Sequence, residues 1–245
     1  MFTKMAVRGF KRVNWVSREV VGRIEPWSRS FSSTGKLQEK IYELRTYNLI
    51  PQKVGEFLAL SKDKFHLRTS HSVLLGYWTT ELGGLNQVVH LWEYGSLNER
   101  AEVRAKLGQD QDWQNQYFQK ILPMLQNQDN VTLKSLTEPA APGPDTSGVY
   151  ELWNLEMKTN PEDWIKLLRD SSQELESESR SLQGVFQSVV GPMNSGIVVW
   201  RHQNLDSAAQ LKHDLLNSVQ GKELWSRVVK GDSKILAPTP FSPWR

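Results

Sequence analysis

Cysteine is absent from the 245 residues. That excludes disulfides, thiolate metal sites and a cysteine nucleophile, and it fits a reducing compartment. Long apolar runs are missing too: none approaches the roughly 20 residues that a membrane-spanning helix needs. Histidine is scarce, with five in all. His66 and His71 have no third ligand at metal-motif spacing, His202 and His213 stand alone, and no metal is expected. No Asp or Glu sits at a triad spacing from His71. The chain has no Walker loop, dinucleotide fingerprint or HExxH, so no motif specifies a reaction and no cofactor is expected.

A basic body is also lacking, although the formal net charge is +3 and the pI is near 9.0. Before residue 32, Lys4, Arg8, Lys11, Arg12, Arg18, Arg23 and Arg29 meet only Glu19 and Glu25. The remainder carries −2, which gives no support to binding a nucleic-acid backbone. On a helical wheel Phe2, Met5, Ala6, Val13, Val16 and Val20 share a face, with the basic residues beside them and Val7 and Trp15 as exceptions. An amphipathic, Arg-rich, acid-poor N-terminus reads as a mitochondrial transit peptide. Arg29-Ser30-Phe31-Ser32-Ser33 resembles a matrix-protease site with cleavage after Phe31. Residues 1–31 are therefore expected to be a leader to the matrix; a cytosolic or outer-surface pool stays open.

What the chain does have is an internal repeat. Tyr42-Glu43-Leu44 recurs as Tyr150-Glu151-Leu152, Gly76 as Gly184 and Trp92 as Trp200, all at an offset of 108. Leu97 and Ala101 match Leu205 and Ala209 at the same offset. Residues 40–137 form the first copy and 148–245 a degenerate second. Residues 138–147, rich in Pro and Gly, read as a stiff linker.

Each copy reads as β-α-β-β-α-β. In the first, strands are expected over 40–47, 73–80, 87–94 and 131–136. Val54, Phe57, Leu58, Ser61 and Phe65 make a helical face after Pro51. Ser96 to Glu99 is a capping box and Gly108 a helix stop. Trp113, Tyr117 and Ile121 form a further helical face. The fold class is α+β: tandem ferredoxin-like repeats, each an antiparallel sheet with helices on one face. Two bare sheet faces must cover each other, so a pseudo-symmetric α/β barrel of the dimeric type is expected from one chain. Further homo-oligomerisation stays open.

With those elements placed, the chain resembles the NipSnap family. The resemblance is carried by Tyr42-Glu43-Leu44-Arg45-Thr46-Tyr47, Leu67-Arg68-Thr69-Ser70, Leu75-Gly76-Tyr77-Trp78 and Val89-His90-Leu91-Trp92-Glu93-Tyr94. Ile121-Leu122-Pro123 and the ending Pro240-Phe241-Ser242-Pro243 add to it. It implies a dimeric α/β-barrel fold, mitochondrial residence, and roles in vesicular transport and mitochondrial quality signalling through protein partners. It implies no catalytic residue.

Two sets of candidate site residues emerge. On the strand to Tyr94, His90, Trp92 and Tyr94 alternate with Val89 and Leu91. The apolar pair suits the helix-covered face. His90, Trp92 and Tyr94, joined by Glu43, Arg45 and Tyr47, are then expected to line the barrel interior, as a ligand cavity or as a hydrogen-bonded polar core. Arg68, Arg100 and Arg104 form a possible anion or partner site, the last two sharing a helical face.

Three functions compete. The first is a non-enzymatic mitochondrial protein acting through protein partners. The second is an enzyme, by analogy with cofactor-independent oxygenases and haem-degrading enzymes on related barrels, an analogy of fold alone. The third is a small-molecule-binding module using the same cavity without turnover.

Overall fold

The computed structural model describes residues 39–142, 148–159 and 161–245. The leader and the end of the linker lie outside the described residues. The first repeat runs β1 (Ile41–Leu49), α1 (Val54–Lys64), α2 (His66–Thr69), β2 (Val73–Leu82), β3 (Gln87–Tyr94), α3 (Leu97–Gln109), a broken helix α4 over 111–121, and β4 (Leu125–Ser135). The second runs β5 (Val149–Met157), α5 (Pro161–Leu175), β6 (Arg180–Val190), β7 (Ser195–His202), α6 (Leu205–Asn217), α7 (Val219–Arg227) and β8 (Val228–Pro238). No helix among the described residues is long and apolar enough to cross a membrane.

The strands close into one antiparallel barrel in the order β1-β3-β2-β8-β5-β7-β6-β4. Each repeat contributes the ferredoxin-like order with its first strand inside, and the two sheets join at β2–β8 and β4–β6. Closure within a single chain leaves no open sheet edge around the ring. The duplication is visible in the backbone itself. A bulge between Leu74 and Gly76 recurs between Leu182 and Gly184. Left-handed Gly83 and Asn86 at one hairpin recur as Gly191 and Asn194 at the other. All four pairs keep the offset of 108.

Gly76 and Gly184 show why glycine recurs. A Cβ at Gly76 would come 2.1 Å from the Trp78 side chain, and one at Gly184 2.7 Å from Phe186. Each ring lies back across its own strand. The lumen is packed rather than open. Tyr42, Leu44, Trp78, Val89, Leu91 and Leu133 from the first repeat mesh with Tyr150, Leu152, Phe186, Ile197, Val199, Leu236 and Trp244 from the second. Trp78 meets Tyr150 at 5.4 Å and Trp244 at 6.1 Å between ring centroids, and Tyr42 meets Phe186 at 5.2 Å. The chain end is part of this packing: Thr239 and Trp244 donate backbone hydrogen bonds to Tyr77 and Leu75 of β2.

Local signals explain the helix ends. Ser96 accepts from the Glu99 backbone, but Glu99 reaches back to the Gly95 N–H (2.6 Å) instead of closing a reciprocal box on Ser96. α3 continues past Gly108 to Gln109. Asp110 then ends it and caps the next helix, accepting from the Trp113 N–H at 3.0 Å.

Candidate functional site

The barrel faces are the reverse of the sequence expectation. Val89 and Leu91 point into the lumen. Trp92 and Tyr94 pack under the helices of the first repeat, with Tyr77, Phe65, Trp113 and Tyr117. Glu43, Arg45, Tyr47 and His90 share that outer face. The polar candidates therefore line no inter-sheet cavity. They belong to a cleft between the first sheet and its helices.

That cleft encloses about 210 Å³. Its floor is Arg45, Tyr47, Tyr77, His90 and Trp92; Phe65, Arg68, Arg104 and Leu107 stand along one side; Trp113, Gln114, Tyr117, Phe118 and Ile121 form the roof. Glu43 and Tyr94 lie on the same face of the sheet, beside the floor and outside the lining. Arg100 points to Glu43, not into the cleft.

The roof is a helix with a wide turn. Over Gln114–Phe118 the hydrogen bonding opens so that the Gln119 N–H reaches the Gln114 carbonyl, five residues back. Such turns recur at functional sites because they displace side chains from the regular helical face. Here Gln114 donates to the Leu107 carbonyl (2.8 Å), and the Tyr117 hydroxyl pairs with buried Ser61 of α1 at 2.8 Å. His71 is held by Asp110 at 2.8 Å, which anchors the start of this helix.

The electrostatics centre on Glu43, which is fully buried. It accepts from Arg100 at 2.6 Å, Asn130 at 2.7 Å, Arg45 at 3.2 Å and Tyr94 at 3.4 Å. Burial pushes its carboxyl up, but the Arg100 hydrogen bond, the charges of Arg45 and Arg100 and the Asn130 contact outweigh that and hold it below its ordinary value. Arg68 is 7 % exposed. Its partners are the Tyr94 hydroxyl at 2.8 Å, Ser72, and the face of Trp92 at 4.0 Å. Burial, with the nearby charge of Arg45, lowers its pKa, yet a guanidinium stays protonated.

His90 is 3 % exposed. The Trp92 indole N–H donates to its Nδ1 at 2.5 Å. Indole is a donor only, so Nδ1 is unprotonated and Nε2 carries the hydrogen. Tyr77 stacks on the ring at 4.9 Å and 7°. Burial, then the charges of Arg45 and Arg68, push its pKa well below the ordinary 6.5. The unfolded chain takes up a proton near pH 6.5 that the folded one refuses. The stability contribution is therefore complete above that value and is lost as pH falls below it. Urea midpoints at pH 7.5, 6.0 and 5.0 should show a loss with up to about 1.4 kcal/mol per pH unit from this group. His90→Val should flatten that slope; an equal slope in the variant contradicts the assignment.

The second repeat shows the same scaffold without a cleft of this kind. At offset 108, Arg45 is replaced by Trp153, Tyr47 by Leu155, Tyr77 by Val185 and His90 by Val198. These pack into an apolar layer with Trp200, Leu211, Leu215 and Leu224. Trp164 of α5 lies so close to the sheet that a Cβ at Gly196 would meet it at 2.5 Å. Trp92 is retained as Trp200, and of the charged residues the buried carboxylate is retained, as Glu151 against His202 at 3.2 Å.

Comparison with known proteins places the chain. The NIPSNAP family model matches residues 42–137 and again 149–243. NipSnap homolog 3B of Mus musculus is 35% identical over 221 residues, covering 86% of this chain and 89% of its own. NipSnap homolog 3A of Pongo abelii is 34% identical over 209 residues, covering 82% and 85%. A solved anthrone oxidase-like protein superposes with a TM-score of 0.57 over 84% of this chain and 94% of that chain, at 7% identity. That last likeness concerns the fold alone.

Proposed function

Since this chain belongs to the NipSnap family and carries two copies of its domain, we propose that it is a binding protein whose first repeat receives a small ring-shaped ligand. One observation carries the reading. The second repeat folds on the same topology with an apolar helix–sheet layer that leaves only about 80 Å³ beside Trp153, Leu155 and Trp225, so folding does not require the first repeat to keep a larger cleft floored by polar groups. The wide turn in its roof, the half-buried Arg45 and the buried Arg68 and His90 serve something other than folding. We place the protein in mitochondria on the basic, amphipathic residues 1–31, and action through protein partners then follows from an occupied or empty cleft.

The haem-handling alternative does not fit this site. A cavity of roughly 150 Å³ takes one benzene ring, and a porphyrin has four pyrrole rings against about 210 Å³ here. The lumen, the other place expected for such a group, is packed with side chains.

The test gives the first repeat the residues of the second. Thermal melts of wild type and Arg45→Trp/His90→Val are run with benzoate, salicylate or indole. At least one compound should raise the wild-type melting temperature by several degrees, as saturation of a single site does. The variant should stay folded, at a lower melting temperature because buried Glu43 loses one of its two guanidinium partners, and respond to none. A variant responding as wild type does would place the binding elsewhere.

A further inference from the structure

The cleft is rich in cationic and N–H donors, and no carboxylate lines it. Arg68 is buried among neutral hydrogen-bond partners, an arrangement that costs stability until an anion completes it. Arg45 and Arg100 share the single carboxylate of Glu43. Arg104 lines the cleft from an exposed position on α3. Two further donors, Nε of Arg45 and Nε2 of His90, are buried with no acceptor among the described residues. They are cross-strand neighbours, paired in the β1–β3 register, and so offer a second polar point close together.

The walls decide what kind of anion fits. Phe65, Tyr77, Trp92, Trp113 and Tyr117 are aromatic. Rings pack against such walls, while a bare inorganic anion would give up its hydration there for little return. Resting on the receptor reading above, we infer that the ligand is a flat aromatic acid of one or two rings. Its carboxylate is received by the arginines, Arg68 foremost. A ring hydroxyl or carbonyl is received by the Arg45 Nε and His90 Nε2 donors.

Calorimetric titration of the purified chain with benzoate, benzamide, salicylate and inorganic phosphate tests this. Benzoate should bind at least about tenfold more tightly than its neutral isostere benzamide, the size of a charge-assisted pair. Salicylate should bind more tightly than benzoate. Phosphate should give no saturable heat in the same range. Arg68→Met should lower benzoate affinity about tenfold or more and leave benzamide within about twofold. Arg104→Gln, an exposed change safe for folding, should lower it about threefold.

The outcomes separate the two proposals. Benzamide binding as tightly as benzoate overturns the acid while leaving the cleft as a receptor. Phosphate displacing benzoate overturns the aromatic part. Failure of every ring compound to bind wild type overturns both. Should Arg68→Met not fold, the benzoate-to-benzamide ratio and Arg104→Gln still decide.

Discussion

Trp78→Ala is expected to destabilise the protein by about 3–5 kcal/mol, the range for deleting a large buried aromatic side chain. Trp78 is fully buried. It folds over Gly76 and meets Tyr150 and Trp244 from the other repeat. Its removal opens a void at the joint between the halves, where neither sheet can collapse without breaking the ring. For a domain of this size the melting temperature should fall on the order of 10 °C, and urea unfolding measures the loss directly. Because the lumen is separate from the cleft, the folded variant should still bind whatever wild type binds. A loss below about 1 kcal/mol, or a loss of binding in folded protein, would contradict this division between a structural lumen and an outer site.

Glu43→Gln should act on stability and binding in opposite directions. The carboxylate is the shared partner of Arg45 and Arg100. Removing one member of a buried ion pair typically costs 3–5 kcal/mol. The two guanidinium side chains keep 15% and 21% of their exposure, which screens the result toward the lower end, about 3 kcal/mol. The sign with pH is fixed by the lowered carboxyl pKa. Wild type holds this contribution above the ordinary carboxylate value and loses it as pH falls through the folded one; the variant has no such loss. Arg45 is meanwhile released from its internal anion, so affinity for an acidic ligand should rise several-fold. Urea unfolding and benzoate titration read the two effects on one preparation. Weaker benzoate binding in stably folded Glu43→Gln would mean that Glu43 organises the arginines instead of competing for them.

Much of the fold was legible from the residues. The strand over 87–94 ends where alternation and the following Ser96 cap place it. The offset of 108 that links Trp92 to Trp200 also links the bulges and the left-handed hairpin positions. The face assignment failed for a physical reason. Val88 and Val89 are 0% and 1% exposed, because β3 is covered on both sides, by helices and by the other repeat. Alternation separates two faces, but hydropathy cannot say which of two buried faces looks inward. The polar side chains lie under the helices because the cleft is there, and a cleft is made by tertiary spacing.

The roof was illegible for a similar reason. Gln114–Phe118 contains no proline or glycine to announce a wide turn; the Ser61–Tyr117 contact and the Gln114 bond to Leu107 come from other segments. One signal was present but unused. Aligning the copies sets Arg45 and His90 against Trp153 and Val198, a polar pair in one half facing an apolar pair in the other. That contrast is what sets the proposed site in the first repeat.

Where a ligand sits is the most direct question to put to the molecule. Crystals soaked in 4-bromobenzoate would locate the bromine by its anomalous signal. The expected result is one peak in the first repeat, between the strand carrying His90 and the wide-turned helix, with the carboxylate toward Arg68. A peak inside the barrel or in the second repeat's helix–sheet layer, or none at saturation, would contradict it.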